Sequence, residues 1–243
     1  MIYVTSDLHG CSRERFRLLL EKAGFREEDE LYILGDVIDR NGDGGIDLLL
    51  WITEQPNVRM LLGNHEAMML SCGFLFEEIT DESLTGLNTE QMMLYMNWLR
   101  NGAKCTMSSL KKLREEDRER FEALWDYLLE TPLYEIPKIG DRVFLMTHSG
   151  FENFSPDKEP DEYTDDELLW NRPKLTDRYF DNVTVIMGHT PTKYLDPDSA
   201  GRMIRTDTWL DIDVGGAEGK PPMLLRLDDM KEFYFTEDEL NGQ

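Results

Sequence analysis

The chain has 243 residues, 40% of them hydrophobic and 31% charged, and 26 Lys and Arg against 49 Asp and Glu give a formal charge of −23. That length suits one large α/β domain. The acidic field repels polyanions, which excludes nucleic acid polymers as expected partners because their binding begins on a basic face, while a smaller phosphorylated ligand stays admissible where bound divalent cations invert the field locally.

The first strand is expected at residues 2–5, an apolar run that reaches Asp7 at once and leaves no room for the charged and apolar regions of a signal peptide. A helix follows, with Phe16, Leu19, Leu20 and Ala23 on one face and Gly24 as its stop. Residues 31–34 read as the second strand, about 46–54 as a helix halting before Pro56, and 58–62 as the third strand. This βαβαβ order makes the three strands parallel neighbours joined by right-handed crossovers. From about 67 to 138 a Met-rich, helical stretch breaks the rhythm. Met92, Met96 and Leu99 share one helical face there, and Phe121, Leu124, Trp125 and Leu128 share another. Stripes at this spacing form core far more often than cofactor boxes, so a helical insertion packed on the sheet is expected, its outer face contributing to substrate choice. Strands at 143–146 and 183–187 come next, with an acidic, Pro-bearing surface loop at 152–167 between them. The tail from 203 to 235 alternates in pieces, at 223–227 and 233–235, and is expected to supply antiparallel strands of a second sheet. A single domain over residues 1–243 holds all these elements.

Cys11, Cys72 and Cys105 are odd in number and widely spaced, which fits reduced thiols rather than a disulfide framework. No run approaches the ~18 apolar residues of a membrane span. A soluble, cytoplasmic protein without a membrane partner is expected.

All four histidines fall in short polar turns directly after apolar runs: Asp7-Leu8-His9-Gly10, Gly63-Asn64-His65-Glu66, His148-Ser149-Gly150 and Gly188-His189-Thr190. A fifth turn of the same build, Gly35-Asp36-Val37-Ile38-Asp39-Arg40, brings two carboxylates and a guanidinium. Any one of these is an ordinary turn; their recurrence at strand ends, where open α/β sheets collect ligands, points to metal and phosphate chemistry. Two divalent ions about 3.5 Å apart need a bridging ligand, and a carboxylate on a central strand, Asp36, is the candidate. A competing pattern, Asp39-x-Asn41-x-Asp43-Gly44, fits the start of a calcium-binding EF-hand, but its twelfth position is Leu50 and not a bidentate Glu. The glycines from Gly42 to Gly45 lack the Lys and Ser/Thr of a P-loop.

In order and spacing these five turns resemble the calcineurin-like metallophosphoesterases, specifically the PPP branch that includes protein Ser/Thr phosphatases and bacterial symmetrical dinucleoside tetraphosphatases. The resemblance runs from residue 7 to 189 and implies an α/β fold, a two-sheet αββα sandwich flanked by helices. It implies that Asp7, His9 and Asp36 bind a first metal and that Asp36, Asn64, His148 and His189 bind a second, with a bridging water or hydroxide as nucleophile and no phosphoenzyme. It makes His65 the general acid, oriented by Asp39, and Arg40 a bidentate phosphoryl clamp. Arg172, in Leu168-Leu169-Trp170-Asn171-Arg172, is similar to a second clamp of the bacterial members; the other reading is a surface arginine on an acidic loop. Asn41 and Ser6 stand where many members have Gly, and neither change removes a ligand. Pro191 replaces a histidine common in the wider superfamily, which favours the PPP branch.

The expected activity is hydrolysis of phosphomonoesters, with phosphoserine or phosphothreonine in proteins as substrate, and a dinucleoside polyphosphate is the alternative. A non-catalytic phosphate-binding module is the reading of another class, and Asp39, Arg40 and His65 stand against it because metal binding requires none of them. Manganese is the expected ion, with Fe²⁺ or Zn²⁺ also suited to mixed carboxylate, amide and imidazole ligands.

Overall fold

A computed structural model describes residues 1–77, 86–236 and 239. Strands β1 (Ile2–Thr5), β2 (Glu30–Ile33) and β3 (Val58–Met60) lie parallel, with Tyr3 opposite Leu31 and Ile33 opposite Met60. The crossover helices are α1 (Arg13–Ala23) and α2 (Ile46–Thr53). Helix α1 begins where the Ser12 hydroxyl accepts from the Arg15 N–H and ends at Gly24, whose φ of 74° closes the last turn; Phe16, Leu19, Leu20 and Ala23 are buried, as their spacing predicts.

The second sheet is built on parallel strands β6 (Arg142–Thr147), β7 (Thr184–Met187) and β9 (Trp209–Asp211). Short antiparallel strands β4 (Tyr134–Glu135), β5 (Lys138–Ile139) and β8 (Ile204–Arg205) finish its margins. Burial divides the molecule into layers. Val4, Tyr32, Leu34 and Leu61 of the first sheet meet Phe144, Met146, Ile186 and Leu210 of the second in one core, while Tyr3, Leu31 and Ile33 face α1 and α2. On the far side, Leu145, Val185 and Trp209 pack against Phe151, Tyr163 and Leu168. Parallel strands buried on both faces explain the unbroken apolar runs. This is the αββα sandwich, and each fully buried large side chain contributes about 1.5–3 kcal/mol to it.

Three expectations change. The tail divides between the sheets: β8 and β9 join the second, but β10 (Leu224–Arg226) pairs with β1 and β11 (Lys231–Phe233) with β10, extending the first. The helical stretch, α3 (Asn64–Ser71), α4 (Thr89–Arg100), α5 (Lys104–Glu116) and α6 (Arg118–Leu129), starts in the third polar turn, and β4 follows it inside the second sheet. Its α4 buries a face different from the one the methionines mark. Met92 and Met96 are 46% and 39% exposed, whereas Trp98 is fully buried and Tyr95 and Leu99 pack beside the core. Phe121, Leu124 and Leu128 on α6 are buried as expected. The acidic loop ends in α7 (Asp165–Leu169), which Thr164 caps.

Gly35 has a φ of 85°, and a Cβ there would lie 2.5 Å from the Gly63 backbone. Gly35→Ala is therefore expected to lose at least about 2 kcal/mol in urea unfolding, from strain and clash together. A loss below about 0.5 kcal/mol, the range of neutral surface changes, would contradict the close approach of these two strand ends.

Candidate active site

Six of the eight non-glycine residues with positive φ among the described residues belong to the polar turns: Asp7, His9, Asp36, Asp39, Arg40 and His189. Left-handed backbone at such residues costs of order 1–3 kcal/mol each and persists only where the surroundings over-determine it. Here the turns hold one another. His9 N–H donates to the Asp36 carbonyl (2.9 Å), and Gly10 N–H donates to that of Val37 (2.9 Å). Buried Glu66, in the first turn of α3, accepts from the N–H groups of Gly63 (3.1 Å), Asp36 (2.9 Å), Val37 (2.9 Å) and Ile38 (3.2 Å). Sequence reasoning left Glu66 without a role, although an acid at the third helical position signals this kind of backbone bond.

Asp36 lies at the centre. Its Oδ2 is 3.5 Å from His9 Nε2, and its Oδ1 is 3.5 Å from His148 Nε2. Each imidazole is oriented by its other nitrogen, His9 Nδ1 against the Ile38 carbonyl (3.1 Å) and His148 Nδ1 against the Leu34 carbonyl (2.6 Å). A carbonyl only accepts, so both Nδ1 atoms carry a proton, and Nε2 is the inward-facing nitrogen that each ring would offer to a cation. His148 Nε2 lies 2.9 Å from Asn64 Oδ1, and the same oxygen is 2.9 Å from His189 Nδ1. Asp7 takes the His189 N–H on Oδ2 (2.9 Å) and also the Ser6 hydroxyl. Its Oδ1 and His189 Nε2 are buried with no hydrogen-bond partner among the described residues.

Converging acceptors and orphaned buried atoms are what a cation resolves. The ligand atoms of His9, Asp36 and His65 lie within 4.8 Å of one another, as do those of Asp36, His148 and His189. Asp36 belongs to both groups, and Asn64 Oδ1 beside His148 and His189 and Asp7 beside His189 and His9 bring the remaining two candidate ligands to the same place. His65 reaches the first group too, but the Arg40 guanidinium 3.3 Å from its Nε2 opposes a cation there. Burial pushes the Asp7 and Asp36 carboxyls up and His9 well down; His189 falls to about 2, from burial first and then from His148 and Arg172. His9 and His189 therefore hold their neutral, ligating form, and a bound cation would favour the ionised carboxylates.

His65 Nδ1 is 2.6 Å from Asp39 Oδ2. Two residues that sequence reasoning did not single out hold that carboxylate: Trp98 Nε1–H donates to Oδ2 (2.9 Å) and the Thr106 hydroxyl to Oδ1 (2.6 Å). Burial lifts the Asp39 carboxyl to about 7 against the lowering pull of Thr106, Trp98 and Arg40. Both donors come from the helical stretch, which also ties the turn through the Arg40 N–H and the Gly102 carbonyl (3.1 Å). Asp39 is thus no calcium ligand, and Asp43 caps the next helix by accepting from the N–H groups of Gly45 and Asp47 (2.9 Å each).

A cleft of about 270 Å³ opens over these groups, lined also by Arg40, Arg172, Trp170, Tyr194 and Asp213. Arg172, exposed on its loop, lines this cleft with its Nη1 3.5 Å from Thr190 Oγ1. Asp211, the last residue of β9, and Asp213 just beyond it are both buried. They were also missed, although Asp-x-Asp after an apolar run repeats the build of Asp7-x-His9. Among the described residues no helix is long and apolar enough to cross a membrane.

The family model for calcineurin-like phosphoesterases matches residues 1–214. Among curated proteins, the symmetrical bis(5'-nucleosyl)-tetraphosphatase of Serratia proteamaculans (strain 568) is 34% identical over 101 residues, 40% of this chain and 35% of that protein. That of Buchnera aphidicola subsp. Schizaphis graminum is 30% identical over 118 residues, 47% and 41% of the two chains. The matched part thus spans roughly two-fifths of those relatives' length. A solved structure named "putative diadenosine tetraphosphatase" aligns over 97% of this chain and 94% of its own with a TM-score of 0.60 at 15% identity, a likeness of fold alone.

Removing the Glu66 carboxylate leaves four buried N–H groups without an acceptor. Glu66→Ala is expected to lower stability by about 3–5 kcal/mol, read from urea or thermal unfolding. A loss of under about 1 kcal/mol would show that the turns stand without it.

Proposed function

The chain belongs to the calcineurin-like phosphoesterase family, and from that premise we propose that it hydrolyses a dinucleoside polyphosphate. At the coarser level it is a metal-dependent hydrolase of phosphoric esters. The observation that carries the finer reading is the rim of the cleft. Trp170, its ring 6.0 Å from that of His189, and Tyr194, 67% exposed, stand beside Arg40 and Arg172. Aromatic rings take stacked bases, and guanidinium groups take phosphates bidentately. Tyr194 is held in place, its hydroxyl donating to Glu218 (3.1 Å) and its ring 4.7 Å from the Lys193 ammonium. The symmetrical tetraphosphatases among the relatives act on substrates of this class.

On this reading Asp7, His9 and Asp36 hold one divalent cation and Asp36, Asn64, His148 and His189 a second, with manganese expected. Such ions, when bound, supply the activation of a water for in-line attack and the neutralisation of phosphoryl oxygens. Arg40 and Arg172 orient the phosphoryl group. His65, with Asp39 fixed on its Nδ1, delivers a proton from Nε2 to the leaving oxygen as the bond from phosphorus to that oxygen breaks and one to water oxygen forms. Burial and the Arg40 guanidinium hold the His65 pKa well below its ordinary value, so the proton it delivers is weakly held, and the Asp39 carboxylate on Nδ1 counters that by favouring the charged ring.

The same dyad favours a second reading, phosphoserine or phosphothreonine in proteins. An alkoxide leaving group needs a proton far more than a phosphate does, so a firmly held acid suits it. Diadenosine tetraphosphate and a phosphoserine peptide compared under matched Mn²⁺ separate the two. The tetraphosphate is expected to have a kcat/KM at least about tenfold higher, with ADP as product; preference for the peptide would move the assignment to the second reading, and turnover of neither would overturn both. His65→Asn is expected to slow the peptide reaction by about 10²–10⁴-fold and the tetraphosphate reaction much less, whereas equal losses would contradict its role as acid.

A further inference from the structure

We propose that a cavity of about 310 Å³ adjoining the cleft is a subsite for the phosphate groups of the substrate beyond the one attacked. The inference rests on the polyphosphate reading above. His9 lines both spaces. Asn41, on the cavity wall, donates from Nδ2–H to the carbonyls of His9 (2.9 Å) and Gly216 (3.1 Å), so the residue shared with the cleft is tied to the cavity's own lining. A chain of phosphates leaving the cleft past Asn41 enters this cavity.

Its charge sets it apart. The molecule carries 49 acidic residues, yet among the described residues none that is acidic lines this cavity, whereas the cleft includes Asp36, Asp213 and Glu218. Arg15 on α1 and Lys220 on the loop before β10 bring positive charge from two separate elements. Glu218, two residues from Lys220, is held by the Lys193 ammonium (2.5 Å) and the Tyr194 hydroxyl (3.1 Å) on the cleft side, and feels Lys220 only through space. In a field of net charge −23 such a lining repels an anion less than the acidic cleft lining does.

Its walls fit the same ligand. Gly10 and Gly216, both on its wall, admit no side chain because other turns press against them: a Cβ on Gly10 would lie 1.9 Å from the Asn41 carbonyl oxygen and one on Gly216 1.8 Å from that of Asp7. The wall is thus compact and carries no side chain at these two positions to crowd a ligand.

The test is calorimetric titration of the Mn²⁺-loaded protein with orthophosphate and with tripolyphosphate at fixed free metal. The ratio of their dissociation constants isolates the groups beyond the first. Wild type is expected to favour tripolyphosphate, Lys220→Glu to lower that preference about tenfold and Arg15→Gln about threefold, while Lys112→Glu on α5, equal in charge change, shifts it by less than about twofold. Equal affinity for both ligands in wild type, an unchanged ratio in both cavity variants, or an equal fall in Lys112→Glu overturns the proposal. Because binding is read directly, wild type that fails to cleave diadenosine tetraphosphate while the ratio behaves as expected removes the nucleotide reading and keeps the subsite, now for an inorganic chain. A parallel rise in KM for diadenosine tetraphosphate in Lys220→Glu identifies the nucleotide as the source of the phosphates.

Discussion

Glu66 accepts four backbone N–H groups from two separate strand ends, and the rest of the cleft is arranged around that junction. With the β2 and β3 ends held together, Asp36 is kept in left-handed backbone and its two oxygens face different imidazoles. The His65 N–H completes the fixing by donating to Asp36 Oδ1 (3.0 Å). Burial raises the Glu66 carboxyl pKa while the bonds from Asp36 and Ile38 lower it, so the same N–H groups that it orders keep it ionised more readily. A buried carboxylate of this kind is worth having only when every lone pair finds a donor.

The helical stretch adds a second constraint from outside the sheets. Trp98 and Thr106 both end on the Asp39 carboxylate, and Gly102 carries the Arg40 backbone. Candidate ligands and the proposed acid therefore share the same turns, Asp36 with Asp39 and Arg40 after β2 and Asn64 with His65 at the start of α3, while Trp98 and Thr106 brace the Asp39 carboxylate from the helices. Neither Asp39 nor His65 is among the six candidate ligands, which is why changes at these two are expected to separate from loss of metal.

Much of this was legible in the sequence because polar residues at strand ends interrupt apolar runs, and that pattern is local. Asp7, His9, Asp36, Asn64, His148 and His189 all announce themselves this way, and the structure brings them together. Trp98 and Thr106 do not. A tryptophan among Met92, Met93 and Met96 reads as one more apolar helix residue, and only the tertiary fold turns its indole N–H toward Asp39. The tail was misplaced for a related reason: β10 pairs with β1 across more than two hundred residues, and nothing in its alternation says which sheet it completes. The exposed Met92 and Met96 show the limit of a periodic stripe, since α4 turns Tyr95, Trp98 and Leu99 inward instead.

The proposed sharing of Asp36 between two cations is tested most directly by electron paramagnetic resonance of Mn²⁺-saturated protein. Wild type is expected to show the multiline spectrum of a spin-coupled pair, and Asp36→Asn to lose it and leave only isolated ions. Isolated ions in wild type, or coupling that survives in Asp36→Asn, would contradict a centre joined by this carboxylate.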